Sequence, residues 1–349
     1  MSKSKIFITV YIFILSLPLL SKDYFVHPKS GNDKNSGLSK KRAFQTLERL
    51  SKIKFSPGDQ IFLAANEVYF GSLVLSNING TAEKPIRISS IVWYKKEKFA
   101  PATINFKSFP NGILIEDASF IIVENIFLTG NGFDGKPQTD LKMRCGVLVR
   151  SKDQKMANIT LRNLKISDVY FENEGFVRDE KEVKTENGTQ KYGWGIRVIN
   201  LNENTIIEDV KIEQCHVEHV SHTGIKLTGK QKNISNCIIS GNTVFKTGGP
   251  GIQMSEVKNV HVFENYVSNT GNKDNARKWG RGSGLWTWGA SHILIEKNKF
   301  LYANGPGDSA GVHIDFNCDN VIIQYNLSAH NAGGFCEILG NNYHCAYRY

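Results

Sequence analysis

The stretch CIISGNTVFKTGGPGIQMS, residues 237–255, contains one complete repeat of this chain. It runs from a short apolar strand to an Asn, through a turn, and into a second strand that opens on Gly. Strand-and-Asn segments of the same form read FIIVENIFL (120–128), ITLRNLKIS (159–167), VKIEQCHVE (210–218), VHVFENYVS (260–268), ILIEKNKFL (293–301) and VIIQYNLSA (321–329). Aligned on their first apolar residue, the seven sixth positions are Asn125, Leu164, Cys215, Asn242, Asn265, Asn298 and Asn326. The second strands open on Gly146, Gly195, Gly224, Gly251, Gly284 and Gly311, with Gly333 taken as the last of the column. Two strands and variable loops, repeated every 22 to 51 residues, mean a solenoid of stacked coils.

Stacking parallel strands about 4.8 Å apart places equivalent residues of successive coils over one another. Apolar positions then form inward columns. A buried Asn in each coil can bond the backbone of the next, so the Asn column reads as a structural ladder with breaks at Leu164 and Cys215. The Gly column reads as a set of sharp corners that need a positive φ.

Composition is compatible with this reading. The chain has 349 residues, 40% hydrophobic content and 31 glycines, which suits many short strands and turns in one rod. Residues 1–21 stand apart: MSKSK is a basic n-region, IFITVYIFILSLPLL is a short apolar h-region, and Leu19-x-Ser21 fits a cleavage site. Export to the periplasm, the cell surface or the medium is therefore expected. The apolar run is short for a membrane span, and no other run reaches that length. Losing Lys3 and Lys5 with the leader lowers the formal charge of +10 by two, so the remainder stays basic. Such a surface could attract an acidic polysaccharide or a membrane, although solvated lysines on the loops are the preferred explanation of the balance. Cys145, Cys215, Cys237, Cys318, Cys336 and Cys345 form no metal-binding spacing and are read as thiols filling the stack. Nothing points to nucleic acid, a nucleotide loop or haem.

Residues 22–58 read as an N-terminal cap, in which Phe44, Leu47 and Leu50 follow helical spacing between Ala43 and about Ile53. Residues 59–349 read as the solenoid, which stops at CAYRY with no visible cap, so a missing C-terminal cap is expected. Tyr24, Val26, Gly31, Asp33, Gly37, Phe44, Thr46, Leu47 and Pro57-Gly58-Asp59 resemble the N-terminal segment of secreted right-handed parallel β-helix proteins of the pectate-lyase-like superfamily. The Asn and Gly columns resemble the same group. The resemblance covers nearly all of the chain beyond the leader and implies an all-β right-handed parallel β-helix. It implies a carbohydrate setting without choosing among lyases, glycosidases and non-catalytic proteins.

Two inserts interrupt the coil rhythm, a charged one at 172–194 and a basic one at 271–283. Both precede a Gly-led strand at the same corner, where they could wall a groove.

Alternation in the Gly-led strands puts the second and fourth residues after the start outside. The outward pairs are Leu148 and Arg150, Arg197 and Ile199, Lys226 and Thr228, Gln253 and Ser255, Trp286 and Trp288, His313 and Asp315, and Phe335 and Glu337. Asp315 and Glu337 are thus expected at one position on adjacent coils, roughly 5 Å apart, which is the separation a retaining glycosidase needs. Paired acids on neighbouring coils are also what the resemblance to glycosidases of the superfamily implies. Trp286, Trp288 and His313 would position the sugar, with Lys226 and Arg197 further along the same face. Asp308 in GPGDSAG reads as a turn residue that could serve as a third acid or a metal ligand. The leading expectation is an exported glycoside hydrolase with no cofactor, acting on a polysaccharide or oligosaccharide. The alternatives are a uronate-cleaving lyase, in which Ca²⁺ could take part, and a glycan-binding or adhesin rod.

Overall fold

The computed structural model describes residues 21–95, 98–135, 143–184 and 191–349. The leader expected at 1–21 lies, except for Ser21, outside the described residues. The chain is an all-β right-handed parallel β-helix built from three parallel sheets of eleven, nine and nine strands, each running the length of the rod. Among the described residues, no helix is long and apolar enough to cross a membrane.

Register explains the dry interior. On the second sheet Val147, Ile196, Ile225, Ile252, Leu285 and Val312 pair in sequence, one per coil, and each is essentially inaccessible. Comparable columns on the other sheets meet them in one continuous core. Each buried coil adds apolar area only against its neighbours, as solenoid packing requires.

The Asn ladder forms over four coils. Asn242, Asn265, Asn298 and Asn326 each accept from the backbone N–H of the preceding ladder residue at 2.9–3.0 Å, beginning at Cys215. Each also donates to a carbonyl one coil back, on Ile212, Ile239, Val262 and Ile295 respectively. Asn125 does not belong to the ladder. Ile121 pairs with Ile159, which puts Asn125 in the row of Asn163, and both residues have positive φ. Ile126 takes the ladder row beside Leu164. Phe120, the residue on which the alignment started, lies before its strand.

The Gly column has a different cause from the one expected. None of Gly146, Gly195, Gly224, Gly251, Gly284 or Gly311 has positive φ. A Cβ at Gly195 would sit 2.4 Å from the carbonyl oxygen of Gly224, and one at Gly251 would sit 2.7 Å from that of Gly284. Close backbone approach between coils excludes a side chain there. The column also starts a coil earlier, at Gly112, whose Cβ would meet the Gly146 oxygen at 2.8 Å.

At the N-terminal end the helix is shorter than its apolar spacing suggests, running from Leu47 to Ser51, with Thr46 accepting from the Arg49 N–H as its N-cap. Phe44 instead bridges to Val26 in extended conformation. Leu47 and Leu50 are buried, and the helix packs on Leu73–Ser76, the end strand of the second sheet.

Candidate functional site

The outward face of the second sheet carries the candidate site. Its rows follow from the pairing: Arg197, Lys226, Gln253, Trp286, His313 and Glu337 occupy one row, one residue per coil. The neighbouring row contains Ile199, Thr228, Ser255 and Trp288, and the turn after Ile314 brings Asp315 beside it.

This register corrects the expected acid pair. Glu337 pairs with His313, Gly311 therefore faces Phe335, and neither Gly333 nor Gly334 is the column residue. Asp315 and Glu337 are consequently staggered by two residues on adjacent coils, roughly 8 Å between Cα atoms rather than 5 Å. The double Gly closes a turn ahead of the strand, with Gly334 at φ 94. Glu337 does point outward, since Cys336 packs against the core and the Glu337 carboxylate lies 3.6 Å from His313 Nδ1.

A cavity of about 450 Å³ opens on this face, lined among others by Arg197, Lys226, Trp288, Asp308, His313 and Asp315. Asp308 arrives from the loop before the Val312–Ile314 strand and faces Arg281, the end of the basic insert. Arg281 Nε and Nη2 donate to Asp308 Oδ2 at 2.9 and 2.5 Å. Asp315 accepts from Trp286 Nε1 at 2.8 Å and is 7% exposed. The Trp286 ring stacks on His313 at 5.6 Å, nearly parallel. Trp286 is therefore largely buried, in one cluster with Trp194 and Trp279, and lines the cavity with the little surface it keeps. Trp288, at 39% exposure, lines the cavity and keeps more open surface there.

The inserts behave as one structure. Arg178 of the first donates its backbone N–H and its Nε to the carbonyls of Ala276 and Arg277 in the second. Arg277, Lys278 and Trp279 are buried, so the basic loop is packed rather than solvated. Trp279 stacks on His222 at 4.5 Å, and Arg277 lies over the Tyr170 ring. The loop thereby delivers Arg281 to the cavity edge. Residues 185–190 of the first insert lie outside the described residues.

The cations at the far end of the cavity are perturbed by their surroundings. Burial and, next, the charge of Arg197 push the Lys226 amine down to about 7. Burial also lowers the Arg197 guanidinium, and the nearby Cys145 opposes that shift. Asp308, His313 and Glu337 bring ligand atoms within 4.8 Å of one another. Both His313 ring nitrogens are buried, and neither makes a hydrogen bond with a described residue. A set containing imidazole suits a transition metal better than Ca²⁺, which takes six to eight oxygens. All six thiols are free, with Cys145, Cys215, Cys237 and Cys318 buried.

The residues expected from sequence do gather here: Arg197, Lys226, Trp286, Trp288, His313 and Asp315 line one cavity, and Glu337 flanks it. Asp308, expected first as a turn residue, lines the cavity, and Arg281 joins it there without having been expected. The available signal was an acid in a Gly- and Pro-rich loop one coil from a basic insert, at the same corner of the rod.

The model for right-handed β-helix regions matches residues 194–346. Among solved structures the chain is similar to a GH136 lacto-N-biosidase from Eubacterium ramulus, at 21% identity and a TM-score of 0.76, covering 94% of this chain and 59% of that one. It is also similar to the pectate lyase Pel9A, at 14% identity and TM-score 0.54, covering 92% and 77%. A rhamnogalacturonan lyase is similar at 13% identity and TM-score 0.52, covering 88% and 69%. The chain spans less than two thirds of the lacto-N-biosidase. No curated protein sequence matches it. At these identities the likeness carries the fold.

Proposed function

We propose that the chain is an exported, carbohydrate-active β-helix enzyme that hydrolyses a glycosidic bond of a polysaccharide or oligosaccharide. The observation that supports this reading is one cavity receiving two carboxyl groups, Asp308 and Asp315, beside an open Trp288 face. Glycoside hydrolysis needs two carboxyls with different duties. Here their neighbours differ: a guanidinium balances Asp308, whereas a neutral indole N–H meets Asp315. Unlike environments are how two acids come to divide the roles of proton donor and charged partner. Asp315 keeps the place it had in the sequence reading, and Asp308 replaces Glu337 as its partner. Glu337, beside the imidazole, becomes a positioning residue for His313. Trp288 would stack on a sugar ring, and the cavity suits one or two sugar units at a time.

Lacto-N-biosidase and pectate lyase are the names of similar folds, and both act on glycans, in agreement with the substrate class. A second reading, β-elimination of a uronate glycan, draws on one observation. An amine pushed down to about 7 is a competent base near neutral pH, and Lys226 has that property. One assay separates the readings. Neutral and acidic glycans are incubated with the full chain while reducing ends and unsaturated-uronate absorbance are followed together. Reducing ends without the chromophore are expected. Appearance of the chromophore would replace hydrolysis by elimination, and binding without either product would make the rod a glycan-binding protein.

A further inference from the structure

We propose that Arg197 and Lys226 form a subsite for an anionic substituent of the glycan, a carboxylate or a sulfate ester, remote from the bond that is cleaved. This rests on the reading of the cavity as a glycan site, but not on which bond breaks.

Two cations on this face meet no acid among the described residues. Elsewhere on the rod, the half-exposed strand arginines find acids: Arg87 and Arg162 both bond Glu124, and Arg150 bonds Glu116. Arg197 and Lys226 pair with each other in register on adjacent coils, so their Cα atoms are about 4.8 Å apart. Neither meets a carboxylate among the described residues. Arg197 is 6% exposed, its Nε has no partner, and Nη1 reaches only the Met143 sulfur at 3.2 Å. Its guanidinium lies over the Trp194 ring at 4.7 Å, which fixes the plane of the fork. Lys226 makes no hydrogen bond or ion pair with a described residue. Both line the cavity.

Two stacked cations in a partly dry site repel each other, and burial raises the cost of each charge. The depressed amine of Lys226 is the record of that cost. An incoming oxyanion removes it: the Arg fork can bind two oxygens, and Lys226 supplies a point charge beside it. Gln253 on the next coil accepts from Thr223 Oγ1 at 3.5 Å, which leaves its amide nitrogen to donate. From Lys226 to His313 the row climbs three coils, about 14 Å. The anion therefore sits on a sugar removed from the acids, where its binding energy can position the chain for reaction.

Calorimetry on the full-length Asp315→Asn protein, with wild type in parallel, tests this with three probes. They are tetragalacturonate, the same oligosaccharide with its carboxyls reduced, and a sulfated galactan tetrasaccharide. At least one charged probe is expected to bind 10-fold or more tightly than the reduced one, and the probe preferred identifies carboxylate or sulfate. Arg197→Gln and Lys226→Gln should each erase that preference, and Arg197→Lys should retain part of it. Equal affinity for charged and reduced probes, no binding of either charged probe, or a preference that survives both Gln variants overturns the subsite. If the anion preference holds while wild type releases no reducing ends, hydrolysis falls and the subsite stands.

Discussion

The outward face of the eleven-strand sheet and the cavity end of the second sheet rest on the same coil spacing, yet they hold their arginines differently; further from the cavity on the second sheet, Arg150 is still paired with Glu116. On the first, Arg87 and Arg162 hold Glu124 from both sides at 2.5 and 2.6 Å, and Lys155 meets Glu208. At the cavity, Arg197 and Lys226 meet no carboxylate among the described residues, and neither His313 nitrogen makes a hydrogen bond with one of them. The coil spacing is common to both faces, so geometry alone does not require the difference. Unmatched buried charge costs stability, and a face that retains it points to chemistry.

The largest expected effect lies on the site face. Asp315→Asn and Asp308→Asn should each lower kcat by about 1,000-fold, about 4 kcal/mol of transition-state stabilisation. Thermal midpoints should hardly move, and Glu337→Gln should cost about 10-fold. Full activity in either Asp variant, measured by reducing-end release, would end the acid-pair assignment.

A second test attacks the geometry beneath that face. Gly224→Ala would place a Cβ 2.4 Å from Val244 Cγ1 and 2.8 Å from the Gly251 carbonyl oxygen. It should cost about 3 kcal/mol in chemical denaturation through overpacking between coils. Ala tolerated without loss would mean that the coils are not held so closely.

The third sharpens the contrast in charge. The Lys226 amine lies at about 7 in the folded chain, against 10.5 ordinarily. Between those values the unfolded chain binds a proton that the folded chain does not, so stability contributed by this site rises with pH. Below pH 7 both forms are protonated and the full penalty is present. Lys226→Met should therefore be the more stable protein by about 1–3 kcal/mol at pH 6, allowing for solvent screening, with the gain shrinking toward pH 10. Denaturation curves at the two pH values check the sign.

The smallest effect belongs to the matched face. Burial raises the Glu124 carboxyl, but hydrogen bonds from Arg87 and Arg162 outweigh it and hold the group below its ordinary value. Its contribution is present above the unfolded value and is lost as pH falls through the folded one. Glu124→Gln should cost about 1 kcal/mol at pH 7, and the difference from wild type should close in acid.

The architecture was legible because a solenoid repeats its requirements. The inward apolar positions, the Asn residues from 242 to 326 and the Gly column each recur once per coil, and recurrence separates signal from accident. Asn125 misled because an Asn also suits the left-handed residue just before the ladder. The Gly column was located correctly from Gly146 to Gly311 but explained wrongly, since close approach of one backbone to the next is invisible in a single strand. In the site, Asp315, Trp288, Lys226 and Arg197 were legible from alternation. Trp286 was legible as outward but not as largely buried, because the His313 ring stacks on it from the next coil.

The sequence by itself determined a stacked parallel coil, its interior, and the residues turned toward one face, because those depend on alternation within a strand and on a period along the chain. Which acid stands next to which was decided only in three dimensions. The turn at Gly333 and Gly334 shifted Glu337 onto His313, and packing of two distant inserts brought Arg281 to Asp308. Such contacts depend on loop length and on register between coils, and neither leaves a periodic trace in the order of amino acids.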